Sequence, residues 1–424
     1  MKAIKLTILT LLLAFAVQGT VSAQLLTDLQ YYRAADQTGL NIFESPKTTN
    51  VGFDGVRVRI GGSNSLQFQG ITQSNDNNDV FDLGPNFNLA TSNLDIDVQL
   101  ERGVRMHLRT YLSSRHHSQP YVKGGYLQID RLDFIQEDFL SDIMDNVTIK
   151  FGHMQINYGD NHFRRSDNGQ TIHNPFVGNY IMDSFTTEVG GEVYYRNNGL
   201  IAMVGMTNGK LNQNTVNPAP GALKTHVSLV GKLGFDRQIN EDLRVRVTGS
   251  VYHTGRSART FLYAGDRAGS RYYNIMTDSG SEFRIPRVDP GFGTELTAIM
   301  INPFVKFQGV EFYGVFENAT GRTRTNPADQ DNRTFNQYGA ELLYRFGKTE
   351  DFYVGGRYNL VTGTTIAQEE IDVTRFNIGG GWFMTKNILT KVEYVSQTWD
   401  GYNATSRFSG AEFSGVMIEA VISF

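Results

Sequence analysis

Residues 156–170 read INYGDNHFRRSDNGQ. Asp160, His162, Arg164, Arg165 and Asp167 fall within eight residues, between Gly159 and Gly169. Three chemistries are open to them. Asp160 and His162 are both metal-ligand types. The Arg164–Arg165 pair carries the forked donors that hold a phosphate or a carboxylate. A polar stretch between glycines is also what an ordinary solvated loop contains. A metal site needs more ligands at close spacing. His107, His153, His173, His226 and His253 show no such spacing, and the SDNGQ run lacks the alternating Asp/Asn series of a calcium loop. Nucleophilic catalysis needs a Ser–His pair within reach; His116, His117 and Ser118 adjoin, but neighbours on an extended chain point apart. We therefore assign no catalytic residue, no metal ligand and no cofactor, and the chain does not read as an enzyme. What the 156–170 stretch does depends on the element that carries it.

The N-terminus sets the compartment. Lys2 and Lys5 precede an apolar run from Leu6 to Val17, and Val21-Ser22-Ala23 forms a small-residue cleavage site. This predicts a signal peptide over residues 1–23; the run is shorter than the roughly 20 apolar residues a spanning helix needs. There is no cysteine, so neither disulfides nor a lipid-modified cysteine are available. Without Lys2 and Lys5, 37 basic residues face 43 acidic ones, a net charge of −6 that is no nucleic-acid footprint. The basic set is skewed to arginine, 27 of 39. Glycine is frequent (44), aromatics reach 12 %, and mean hydropathy is only −0.32. Apolar residues outside and polar residues inside would reconcile these figures. No linker, charge block or low-complexity tract divides the chain.

The dominant period is two. In EFSGVMIEAVISF, Val416, Ile418, Ala420, Ile422 and Phe424 share one face, and Met417, Glu419, Val421 and Ser423 the other. Short turns (101–103, 197–199, 347–350, 385–387) alternate with long polar loops (75–88, 156–185, 207–221, 255–292, 321–332, 362–371, 399–411). Alternation of this kind marks an all-β outer-membrane barrel, an antiparallel up-and-down sheet with short periplasmic turns and long extracellular loops. Closure satisfies every backbone group in lipid without helices. Sixteen strands are predicted, near 64–73, 89–100, 103–112, 121–133, 146–155, 186–196, 199–207, 223–236, 242–254, 293–306, 308–320, 333–346, 351–363, 372–384, 387–398 and 411–424. Residues 24–62 read as a periplasmic N-terminal segment with a short element at 52–60, and 63–424 as the barrel. The 121–133 and 199–207 strands are ambiguous in phase, and 134–145 fits either a turn or a short helix. Tyr344, Phe346, Phe352, Tyr353, Trp382, Phe383, Trp399 and Tyr402 cluster at strand ends, as interfacial girdles do.

Three features resemble the phosphate-selective porin O/P family of bacterial outer membranes. One is VRIGGSNSLQFQG, read as a Gly-Gly hairpin leading into the first strand. Another is VTIKFGHMQINYGD (147–160), a strand running into a long loop. The last is the terminal strand ending in Phe424, a signal of the type that barrel-assembly machinery reads. The similarity is loose and runs along most of residues 52–424. It implies sixteen strands, a homotrimer, and diffusion of small anions such as phosphate.

Alternation also predicts the lumen. Inward bases are Arg105, Arg109, Lys150, Lys232, Arg244, Arg246, Arg345, Arg357, Arg375 and Lys391. Inward acids are Asp95, Asp97, Glu188, Glu192, Glu311, Glu317, Glu341, Glu393 and Glu419. Counting out from the turns puts Asp95 opposite Arg109 and Glu341 opposite Arg357, which reads as wall pairing. Lys232 and Arg246 fall together with no evident acid, a candidate positive spot. Such a mixed lumen departs from a purely basic ladder and favours small polar solutes of either sign.

By this count residues 156–185 join the fifth and sixth strands, the position from which, by the resemblance, a loop folds inward and narrows the pore. Asp160, His162, Arg164, Arg165, Asp167 and Asp183 then become constriction residues. The arginines would offer donors to a passing anion, the acids would neutralise them, and His162 would make the field depend on pH. The function expected is passive diffusion of small polar or anionic solutes through a water-filled outer-membrane pore. Membrane lipid and lipopolysaccharide are its expected partners, with no nucleic acid. The alternative is a barrel-anchored surface protein or adhesin, to which Arg256, Arg259, Arg267, Arg271, Arg284 and Arg287 of the 255–292 loop lend support. A barrel hydrolase is less favoured, as is a plugged transporter, since no plug-sized domain precedes the first strand.

Overall fold

A computed structural model describes residues 27–88, 90–114, 120–209, 226–257, 260–265, 268–278, 283–323 and 332–424. The signal segment, the His116-His117-Ser118 run and most of the 207–221 and 321–332 loops lie outside them. In chain order the strands are β1 (Arg57–Ser74), β2 (Asn86–Phe87), β3 (Thr91–Glu101), β4 (Val104–Ser113), β5 (Tyr121–Ile129), β6 (Val147–Gln155), β7 (Thr187–Asn197), β8 (Leu200–Thr207), β9 (Ser228–Gln238) and β10 (Leu243–Thr254). They continue with β11 (Glu295–Phe307), β12 (Val310–Arg322), β13 (Arg333–Phe346), β14 (Phe352–Thr364), β15 (Glu370–Thr385), β16 (Ile388–Asp400) and β17 (Glu412–Ser423). A one-turn helix, α1 (Ser141–Met144), follows β5 inside the segment where turn and short helix were both open.

Neighbouring strands pair antiparallel, and β1 closes the ring. Its first half, Arg57–Ser65, pairs with β3, and its second half, Ser63–Ser74, pairs with β17. The two-residue β2 only touches Phe68 and Gln69 from the first outer loop. The result is a closed antiparallel barrel of sixteen strands. Alternation sorts the side chains: on β17, Val416, Ile418 and Ile422 are exposed, while Met417, Glu419 and Val421 are buried. The exposed set can be apolar because it faces lipid. The turn residues suit their sites. Asn198 and Gly199 both take positive φ (49° and 90°), as a two-residue hairpin turn requires.

Four features differ from the sequence expectation. The 52–60 element is not separate, and Gly61-Gly62 is not a hairpin: β1 runs unbroken through both, so the 62/63 boundary falls within a strand. The glycines sit where β1 meets the chain end. Phe424 N donates to Gly62 O (3.0 Å), and a Cβ on Gly61 would lie 2.8 Å from Phe424 O. Secondly, only part of the aromatic set faces outward. Tyr344, Phe346, Phe352 and Trp382 stack in a row on the outer surface, with centroids 5.5–5.9 Å apart. Tyr353, Phe383 and Trp399 alternate to the inside and are buried.

The third difference concerns residues 27–50. They pack into the short-turn mouth of the barrel. Gln30 N donates to Gln99 Oε1 (3.1 Å), Gln37 N to Lys386 O (2.8 Å), and Ser423 Oγ to Ala35 O (2.5 Å). Lys47 pairs with Asp130 (3.1 Å). Fourthly, besides the 156–186 loop, whose inward fold was expected, the described residues of the 255–294 loop also turn inward. Val177, Ile181, Met182, Leu262, Tyr272, Ile275 and Met276 are fully buried and pack with Val315, Val361 and Val395 of the wall. Each such apolar side chain contributes roughly 1.5–3 kcal/mol on burial. The interior therefore holds a hydrophobic core, and the expected water-filled lumen is confined to what the core leaves.

Candidate functional site

The 156–186 loop leaves β6 at Gln155 and makes a single 3-10 turn over Asn161–Phe163. Its charged residues face the wall. Asp160 accepts from Arg246 Nε (2.8 Å) and Nη2 (2.9 Å), Lys232 Nζ (2.9 Å) and Thr248 Oγ1 (2.8 Å). Glu44 of the N-terminal segment shares Arg246 at 2.9 and 3.0 Å. Burial would raise both acids, but the Arg246 and Lys232 charges outweigh it; they hold Glu44 at about 2 and Asp160 far below the usual range. The Lys232–Arg246 pair is thus no open positive spot. Asp160 and Glu44 lie 72 and 202 residues away in sequence, beyond strand register, while Asp236, directly opposite Arg246 on β9, also pairs with it at 3.0 Å.

Arg164 reaches Glu311 (2.6 Å) and Glu341 (2.5 Å), which also hold Arg345 (2.9 Å) and Arg357 (2.8 Å). Arg165 is chelated by Asp183 (2.8 and 2.6 Å), meets Asp167 (3.3 Å) and lies 3.8 Å over the Phe185 ring. Arg164 is thus taken up by the wall carboxylates, while Arg165, though paired, still lines a cavity along the β3–β7 wall. His162 hydrogen-bonds Asn157 Oδ1 (2.8 Å). Burial, then the Lys232 charge, holds its pKa well below the ordinary histidine value. It stays neutral where an exposed histidine would titrate, so it is not the pH-sensing element expected. Among the described residues, no three His, Cys, Asp or Glu side chains converge as metal ligands.

The charges of β9–β17 anchor the loops. Arg375 donates to Asn179 O (2.7 Å) and Pro286 O (2.8 Å), and Lys391 to the carbonyls of Thr171, Asn174 and Phe176. Glu393 accepts from Tyr272 Oη (2.6 Å) and Val177 N (2.8 Å), and Glu317 from Tyr263 Oη (2.8 Å). Glu188 accepts from Tyr252 Oη (2.9 Å), and Arg244 pairs with Asp236 (2.7 Å). Arg271, expected on an adhesive outer loop, is buried against Glu419 at 3.1 Å. Arg287 pairs with Asp289 at 3.3 Å, while Arg259 and Arg267 lie outside the described residues.

One stretch of wall, β3–β7, is different. A cavity of about 210 Å³ runs between it and the loop. Arg105, His107, Arg109, Lys123, Tyr126 and Lys150 line it from the wall; Phe163, Arg165, Asp167 and Phe185 line it from the loop. Tyr32, Arg33, Phe43 and Glu44 of the N-terminal segment floor it. Six cations (Arg33, Arg105, Arg109, Lys123, Lys150, Arg165) face four carboxylates (Glu44, Asp95, Asp97, Asp167), a surplus of two positive charges. Register sets the Asp95–Arg109 pair (2.7 Å), as the turn count predicts, and puts His107 opposite Asp97 (3.0 Å); Arg105, opposite Gln99, reaches Asp97 diagonally at 2.5 Å.

Two cations, Lys123 and Arg33, are placed by features outside simple alternation, and Lys150, inward as expected, lacks its wall partner. Lys123 is the extra residue of a bulge, since Thr110 pairs with Val122 and Arg109 with Gly124. Bulges re-aim side chains and reset the phase, which is why this strand reads ambiguously. Its ammonium lies 4.4 Å over Phe185 and 4.9 Å over Tyr111. Lys150 lies between Tyr126 (5.6 Å) and Tyr194 (5.2 Å), and among the described residues no carboxylate is within ion-pair distance of it. Glu192, its cross-strand neighbour, turns instead to Asn157 N (2.7 Å) and the Tyr194 hydroxyl. Arg33 donates to Gly39 O (3.2 Å) and Phe163 O (3.0 Å); burial, reinforced by Arg164 and Arg109 and opposed by Glu44, brings it down to about 9. Arg33 and Tyr32 sit in a segment without periodicity, and nothing in the sequence points to them.

Comparison with models of protein families and with curated proteins gives no match. Solved structures do match. An anion-selective porin from Comamonas acidovorans aligns with TM-score 0.54, covering 87 % of this chain and 100 % of that one at 11 % identity. The outer membrane channel DcaP of Acinetobacter baumannii gives 0.52, over 88 % and 99 %, at 12 % identity. OprB of Pseudomonas putida gives 0.52, over 87 % and 94 %, at 9 % identity. At these identities the likeness is one of fold: the chain is a porin-like sixteen-strand barrel.

Proposed function

We propose that this chain is an outer-membrane channel that passes small anions along its β3–β7 wall. The observation that carries this reading is the cavity itself: a narrow space inside a closed barrel, with two more cations than carboxylates on its lining. An anion would enter beside Lys123 and Phe185, pass Arg109 and Lys150, and reach Arg33 at the floor. Surplus positive charge between low-dielectric walls concentrates anions and repels cations. The rest of the interior is packed by the two loops, so conductance should be small.

The same reading includes export by the 1–23 signal peptide, assembly through Phe424, contact with lipid and lipopolysaccharide, a homotrimer, and membership of the phosphate-selective porin O/P family, with phosphate among the anions carried. It is supported by the apolar outer face, the terminal strand and the porin-like fold. The test is a planar-bilayer measurement in a potassium chloride gradient. Small, steady openings with an anion-selective reversal potential are expected. A silent barrel, or a cation-selective one, would overturn the proposal.

A further inference from the structure

The cavity lining is not that of a plain electrostatic funnel. Tyr32, Phe43, Tyr126, Phe163, Phe185 and Tyr194 are set among its cations. Lys150 stands between two of these rings without a carboxylate. Donors in excess call for a ligand that brings acceptors and negative charge. Aromatic faces call for an apolar body.

Size narrows the class. A cavity of about 150 Å³ is enough to hold benzene, so 210 Å³ takes one ring and a carboxylate. It is below the roughly 300 Å³ at which pockets for drug-sized ligands begin, which favours a small ligand. A bare inorganic oxyanion would leave the rings uncovered.

We infer that the β3–β7 cavity is a binding site for a small organic carboxylate with a flat apolar body, its carboxylate on Lys150 and its body against the surrounding rings. This deepens the channel reading and rests on it for its physiological meaning, but binding is measured independently of conductance. Folded protein in detergent would be titrated calorimetrically, at fixed ionic strength, with sodium benzoate, sodium phosphate and benzyl alcohol. Saturable benzoate binding near one per barrel is expected, with phosphate and the uncharged alcohol weaker by about tenfold or more, the scale of one charge-assisted hydrogen bond. Lys150→Met should weaken benzoate binding by about tenfold or more, and Lys150→Arg, which keeps the charge, should restore most of it. No saturable benzoate heat, equal binding of phosphate or benzyl alcohol, or an unaffected Lys150→Met would each overturn the inference. Benzoate binding by a silent barrel would sink only the channel reading; an anion-selective channel that ignores benzoate would sink only this one.

Discussion

Asp160 shows how much the burial of single charges decides. Its carboxylate is fully buried between Arg246 and Lys232. Removing one member of such a group leaves the others uncompensated, at a cost of about 3–5 kcal/mol. Asp160→Asn should therefore lower the thermal midpoint well beyond a surface substitution, as read by circular dichroism in detergent. Acid should act on the same contacts. Burial first of all holds the folded-state pKa values of His162 and His173 well below the ordinary histidine value of 6.5. The unfolded chain takes up their protons first, so the stability they contribute is present above pH 6.5 and declines as pH falls below it. Glu44 is depressed from 4.5 to about 2. Its contribution is complete above 4.5 and is lost as pH falls towards 2. The midpoint should thus decline from neutral pH downwards, and His162→Gln should flatten the slope between about pH 6.5 and 5. An unchanged slope would place His162 in an environment other than the buried one described.

At the scale of elements, the strands were legible in the sequence and the inserts were not. Period two with alternating short and long connections specifies a barrel, because lipid forces the outer face to be apolar and register ties each inward residue to its neighbour. The Asp95–Arg109 and Glu341–Arg357 pairs follow from that rule alone. Lys123 escaped it because a bulge shifts its phase. Asp236, opposite Arg246, was within that rule, but Asp160, Glu44 and the reach of Arg164 to the wall escaped it because they are loop and N-terminal contacts, which no short-range pattern encodes. The 27–50 segment is the clearest case: it lacks periodicity yet floors the cavity and shares Arg246 through Glu44. Deleting residues 27–50 should raise single-channel conductance several-fold. Glu44→Gln, which loosens the segment without removing it, should give flickering or intermediate openings. Unchanged conductance in both variants would mean the segment does not bound the ion path.

For the molecule as a whole, the interior is partitioned. The β9–β17 wall and the two inward loops form a packed core cross-linked by buried ion pairs. The β3–β7 wall lines the cavity between itself and the loop and carries cations that face it. This partition makes a sharp claim about where ions travel. Because the chain has no cysteine, single cysteines can be introduced without background reaction. The most direct test is the current through Lys150→Cys channels before and after a negatively charged methanethiosulfonate reagent, beside Gln337→Cys on the opposite wall, where Gln337 is buried against Met182. The account predicts a stepwise fall in current at position 150 and none at 337. A current that is unmoved at 150, or that falls at 337, would contradict it.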